Sequence, residues 1–169
     1  MSQYIFNSLK RKNHQEISKT ISLLYNTDKP VIICVGSDLV VGDSLGPIIG
    51  TKLVERLNGR AFVYGTLQSP ITALEVSILQ KEIKKMHPYS KILVIDAAVG
   101  CEEEVGFVKI SGVGIKPGLG VNKDLPLIGD VSIIGVVNSK NNALNFTTRF
   151  SLVYALARDI VNGIEKALG

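Results

Sequence analysis

Val31-Ile-Ile-Cys-Val-Gly-Ser-Asp-Leu-Val-Val-Gly-Asp-Ser-Leu-Gly-Pro47 is the stretch that decides the fold of this chain. Its first five residues form a continuous apolar run, mostly β-branched, as expected of a parallel strand covered on both faces. Gly36 ends the run, and residues 37–42 read as a loop. Leu45, Ile48, Ile49, Leu53 and Leu57 then recur at helical spacing. Pro47 falls in the first turn, where a missing N–H costs nothing, and Asn58-Gly59 supply the stop. A buried strand that feeds a helix through a short loop is half of a βαβ unit, which demands parallel pairing and right-handed crossovers.

Outward from this stretch the pattern repeats. Residues 8–25 predict an amphipathic helix with Ile17, Ile21 and Leu24 on one face, closed by turn chemistry at Asn26-Thr-Asp-Lys-Pro30. Ala61 to Tyr64 reads as a strand. Pro70 to Met86 reads as a helix whose apolar stripe is Leu74, Ile78, Leu79 and Ile83. Ile92 to Ile95 is the next buried strand, Val105 to Ile110 a strand at the sheet edge, and Val131 to Val137 the last. Phe150, Val153, Tyr154, Ala157, Ile160, Val161 and Ile164 form the stripe of a closing helix. The expectation is an α/β fold: a three-layer α/β/α sandwich with a mostly parallel, mixed sheet of about five strands. Residues 1–169 form a single domain, with 1–29 a helical segment packed on the core.

Bulk composition narrows the function classes. A chain of 169 residues, 46% hydrophobic and 20% charged, has enough apolar side chains to build a core without staples. The net charge of +4 is local, concentrated in Lys10-Arg11-Lys12 and in Lys81 with Lys84-Lys85. These read as solvated helix faces; with no arginine-rich stripe and no zinc-finger spacing, nucleic acid is not an expected partner. Cys34 and Cys101 make no disulfide framework. No apolar stretch follows a basic start, and no run approaches the roughly 20 residues of a membrane span. The expected setting is the cytoplasm, with no membrane partner.

The chemistry-bearing residues are acids at strand ends. Asp43 precedes a helix, where it can cap the first N–H groups, and the same geometry can anchor a catalytic carboxylate; the two readings do not exclude each other. Asp38 lies in the same loop as an Asx-turn former or a further acid of the site. Asp96 follows Ile92-Leu-Val-Ile95 directly, and a carboxylate at the end of a buried strand needs a partner or a function. Parallel pairing brings these acids to one sheet edge, where such crevices bind ligands. The segment Gly36 to Gly46 is neither a dinucleotide fingerprint nor a Walker loop. No Gly-x-Ser-x-Gly elbow is present, and His14 and His87 read as solvated residues of surface helices. The glycine-rich segment Lys116-Pro-Gly-Leu-Gly-Val-Asn-Lys123 is either a plain turn series or a loop that admits a peptide or an anion.

These residues together resemble the YyaC family of sporulation proteins, described as spore proteases. The resemblance rests on Gly36-Ser-Asp38, Gly42-Asp-Ser-Leu-Gly-Pro47, Gly50-Thr-Lys-Leu53 and Val94-Ile-Asp-Ala-Ala98. It extends through Lys116-Pro-Gly-Leu-Gly-Val121, Leu125-Pro126, Ile128-Gly-Asp-Val-Ser-Ile-Ile-Gly-Val-Val-Asn138 and Arg149-Phe-Ser-Leu-Val-Tyr154. That family is similar in fold to the germination protease and to the hydrogenase maturation endopeptidases, a phosphorylase/hydrolase-like architecture. The resemblance implies that Asp43 and Asp96 correspond to the proposed catalytic pair; Asp38, as a third acid of the crevice, and Gly118 and Gly120, through backbone contacts of their loop, are the expected substrate-binding residues.

Further expectations follow from the resemblance. It implies a protein or peptide substrate, such as small acid-soluble spore proteins, in the forespore or mother cell of a spore-forming bacterium. The hydrogenase endopeptidases add a histidine to two acids to hold a metal. The glycine-rich segment here has no histidine, so no cofactor is expected and a divalent metal is disfavoured. Asp38 stands where the germination protease carries no equivalent acid. Two other readings stay open: a non-catalytic peptide-binding scaffold that keeps the crevice, and a metal-dependent maturation endopeptidase. A homo-oligomer is also left open.

Overall fold

The structure is a computed structural model that describes residues 3–8, 13–117, 126–141 and 147–169. Within these residues the strands are β1 (Gln3–Asn7), β2 (Val31–Cys34), β3 (Phe62–Tyr64), β4 (Ile92–Gly100), β5 (Phe107–Ser111) and β6 (Val131–Ser139). The helices are α1 (Asn13–Leu24), α2 (Leu45–Leu57), α3 (Ala73–Met86) and α4 (Phe150–Leu168). A 3-10 turn, Val41–Ser44, runs into α2, and another, Glu102–Glu104, follows β4. One mixed sheet has the order β1-β5-β6-β4-β2-β3. β2 pairs in parallel with β3 and β4, and β4 with β6. β5 is antiparallel to both β6 and β1.

The run Val31 to Val35 explains why this sheet is covered on both sides. Ile32 and Cys34 belong to an apolar cluster shared with α1, α2 and α4. Val31, Ile33 and Val35 belong to another, shared with Val76 and Ile83 of α3. Alternate residues of one strand point to opposite faces, so a strand with no polar position must be covered on both.

The α/β class and the parallel centre are as the sequence implies; four details differ. The sheet has six strands among the described residues rather than about five, because Gln3–Asn7 forms a strand inside the segment expected to be helical. Tyr4 and Phe6 pack on the larger cluster while Ile5 faces solvent, the alternation of an edge strand covered on one side. β1 takes the edge, so β5 lies in the interior of the sheet. β4 continues past Ile95 to Gly100, since β6 accompanies it with a register shift at Ala98/Val99.

The fourth difference is the rotation of α3. Val76 and Ile83, seven residues apart and therefore on one face, are its buried side chains, whereas Leu74, Ile78 and Leu79 are exposed. The helix carries two apolar lines, and only packing decides which of them meets the sheet. Its start is set by Thr72 and Glu75: the Glu75 carboxylate accepts the Thr72 amide at 2.9 Å in a capping box. Among the described residues no helix is long and apolar enough to cross a membrane.

Candidate active site

The connections around β2 create a gap. β2 leads through α2 to β3 on one side of it, whereas β4 leads through the Glu102–Glu104 turn to β5, which lies beyond β6 on the other side. α2 and α3 lie on opposite faces of the sheet. Chains that leave neighbouring parallel strands in opposite directions along the sheet open a crevice at the carboxyl ends of those strands. Here the neighbours are β2 and β4, whose ladder ends at Cys34 opposite Ile95.

The loop after β2 folds back on its own neck. The Val35 amide still donates to the Ile95 carbonyl at 2.8 Å, and the Gly36 amide donates to Ile71 at 2.8 Å. Gly36 then takes φ +139°, and a Cβ there would stand 2.1 Å from the Asp43 carbonyl oxygen. Only glycine permits both. The Ser37 amide closes the neck by donating to that carbonyl at 3.1 Å. Behind it, a Cβ at Gly46 would fall 2.0 Å from the Val35 carbonyl oxygen, so α2 begins tightly against the end of β2.

Asp43 is carried on the 3-10 turn as an exposed residue. It does not cap: no side-chain capping bond is made at the start of the 3-10 turn or at Ser44, the N-cap of α2. Partial desolvation raises its pKa above the ordinary carboxylate value, and the Ser37 amide beside it opposes that rise. Asp38 is exposed at the tip of the loop. It forms no Asx turn; the turn's side-chain bond runs from the Leu39 amide to the Ser37 hydroxyl at 3.2 Å.

Asp96 lies one residue past the last rung shared by β2 and β4, opposite Ile134 of β6. Ile92 and Val94 contact the α3-side cluster and Leu93 and Ile95 the other, so alternation puts Asp96 on the α3 side. It is half-buried, and one oxygen accepts the Ala97 amide at 2.8 Å. Burial pushes its pKa up from 3.8 to about 7; the Ala97 amide works against this, and the nearby Asp43 carboxylate adds to it. The repulsion within the pair thus falls on the more buried partner.

Gly118 and Gly120 lie outside the described residues. The chain on either side of that segment is anchored on the α3 side by the antiparallel bridge Ile115–Ile128. Sequence reasoning missed Asn138 and Thr148. The Asn138 amide donates to the Thr148 hydroxyl at 3.1 Å, and that hydroxyl would lie 3.1 Å from a Cβ on Gly42, next to Asp43. A polar residue near the carboxyl end of a buried strand, the signal that singled out Asp96, was present at Asn138 as well.

His87 is not a freely solvated residue. It stacks on Phe62 with centroids 4.3 Å apart, and its Nε2 lies 2.7 Å from the Tyr64 hydroxyl. Cys101 is exposed beyond β4, where its sulfur accepts the Glu104 amide. Among the described residues no group of three or more His, Cys, Asp and Glu is arranged to hold a metal ion. Two surface hollows, one along Gln80, Lys81, Lys84 and Lys85, the other beside Tyr25, Arg60 and Gly169, include neither carboxylate.

Comparison with known proteins places this chain in a family. Residues 5–163 match the model described as "Protein of unknown function (DUF1256)". The chain is also similar to the "Uncharacterized protein YyaC" of Bacillus subtilis (strain 168), with 38% identity over 148 residues, 85% of this chain and 72% of that protein. The chain therefore belongs to the DUF1256 family, the family of YyaC.

Proposed function

We propose that the protein is a peptide hydrolase of the two-carboxylate type, with Asp43 and Asp96 as the catalytic pair. The observation that supports this reading best is the asymmetry of the pair. Asp43 is exposed and sits ahead of the N-terminus of α2, whose field favours the ionised form. Asp96 is half-buried, feels the charge of Asp43, and keeps a proton up to about pH 7. Two acids whose environments separate their proton affinities divide into a base and an acid. Asp43 accepts a proton from the attacking water while protonated Asp96 donates its proton to the scissile carbonyl oxygen. As the resulting gem-diol collapses and the C–N bond breaks, the departing amine takes the proton held on Asp43 and Asp96 recovers its own from a gem-diol hydroxyl.

The same proposal takes the fold to be of the hydrogenase maturation endopeptidase type, which fits the six-stranded mixed sheet and the acids at its parallel centre. The family resemblance supports action on spore proteins in the cytoplasm of a forespore or mother cell. Incubating the purified protein with small acid-soluble spore proteins and with a peptide library, between pH 4 and pH 8, tests the reading. Cleavage that disappears in Asp43→Asn and Asp96→Asn, both still folded, is the expected result. Cleavage that survives both substitutions, or none from the wild type at any pH, removes it.

A further inference from the structure

The loop that delivers Asp43 also holds three consecutive apolar side chains in water. Leu39 is 89% exposed, and Val40 and Val41 beside it are exposed as well. The loop is not slack. The Leu39 amide donates to the Ser37 hydroxyl, and the Asp43 and Ser44 amides both donate to the Val40 carbonyl at 3.0 and 3.1 Å. The Ser44 hydroxyl adds a bond to the Val41 carbonyl at 2.7 Å. With its backbone tied this way, the turn presents its apolar side chains to solvent at a solvation cost that a bound partner recovers.

We infer that Leu39-Val40-Val41 is a docking crest for an apolar side chain of an extended polypeptide, and so a specificity element of the site; this rests on the peptide-hydrolase reading above. Val41 and Asp43 share one turn, and that turn packs on β4, the strand that carries Asp96. A residue seated on the crest therefore brings its neighbouring peptide bonds to the carboxylates.

Size and charge select this occupant. Three side chains offer far less than the roughly 800 Å² per partner of a stable protein interface, which disfavours a second copy of the chain. Asp38 and Asp43 flank the crest. Their carboxylates repel an anionic lipid surface and favour a polypeptide whose apolar residue has lysine or arginine nearby.

The test uses fluorescent, lysine-flanked alanine peptides that differ only in a central leucine or serine. Their binding to the full chain is read by anisotropy for the wild type, for Leu39→Ser with Val40→Ser, and for Asp43→Asn with Asp96→Asn. The wild type is expected to prefer the leucine peptide by about tenfold or more, the worth of one buried aliphatic side chain. The crest variant brings the two peptides within about twofold, while the acid variant keeps the preference. Equal binding of both peptides by the wild type, or an unchanged preference in the crest variant, overturns the inference. So does a crest variant that turns a dimer into a monomer in sedimentation while the peptides bind alike. Leucine preference without cleavage upholds the crest and removes the hydrolase reading; cleavage indifferent to leucine does the reverse.

Discussion

Asp43 and Asp96 come from different chain segments, one on the turn that leaves β2 and one a residue beyond the last rung of the β2–β4 ladder, and Asp96 carries the electrostatic consequence of their proximity. That relationship has effects on stability as well as on chemistry.

Between pH 4 and pH 7 the folded chain keeps a proton on Asp96 that the unfolded chain has lost, because its pKa rises from 3.8 to about 7 on folding. The folded state binds more protons, so stability falls as pH rises through this window and stays at the lowered level above it. Asp96→Asn has no charge to bury. It is expected to be more stable than the wild type at pH 8 by about 1–3 kcal/mol, after allowance for the partial solvent access of the site. Thermal melts at pH 4 and pH 8 check this; the gap should open only at the higher pH.

Asp43→Asn removes one of the two causes that raise the Asp96 pKa, and the smaller one. The Asp96 midpoint should move down and remain above that of an ordinary carboxyl. Carboxyl carbon NMR titration of the two proteins reads it directly, and a midpoint that stays or rises breaks the pair.

Hydrolysis that needs Asp96 protonated and Asp43 ionised has a bell-shaped pH profile. Its alkaline limb should fall through about pH 7, where Asp96 loses its proton. Asp96→Asn should lower kcat by about 10²–10⁴ with a small change in KM.

Gly36→Ala places a Cβ 2.1 Å from the Asp43 carbonyl at φ +139°. The expected cost is about 2–4 kcal/mol, from a strained backbone plus a displaced loop. Gly59 has φ +83° and nothing within 4 Å of an added Cβ, so Gly59→Ala should cost only about 1–2 kcal/mol. Urea unfolding of the two variants separates crowding from backbone strain.

Ile83 is 2% exposed and Ile78 69% exposed, on the same helix. Ile83→Ala should cost about 2–4 kcal/mol and Ile78→Ala within about 0.5 kcal/mol. Equal costs would mean that α3 packs on the face its spacing suggested.

Much of the fold was legible because local physics decides it. Val31 to Val35 has no polar position, so it had to be covered on both faces, and its residues divide between two apolar clusters. Asn58 ends α2 in the left-handed conformation at φ 47°, the stop that Asn58-Gly59 announced. β1 was hidden because Gln3–Asn7 is a five-residue strand whose pairing partner, β5, lies a hundred residues away. The orientation of α3 was hidden because both of its apolar lines satisfy a helical period.

For the site, the sequence by itself determined which acids follow buried strands, and that parallel pairing sends them to one edge. Whether Asp43 capped a helix or stood free, and whether Asp38 turned the loop, depended on bond geometry within a few residues, where several turns satisfy the same letters. That Asp96 holds its proton to about pH 7 was decided by tertiary structure alone. The shift comes from burial under neighbouring elements and from the charge of Asp43, brought close by a loop that closes on Gly36, and neither is a property of Ile92-Leu-Val-Ile-Asp96 taken alone.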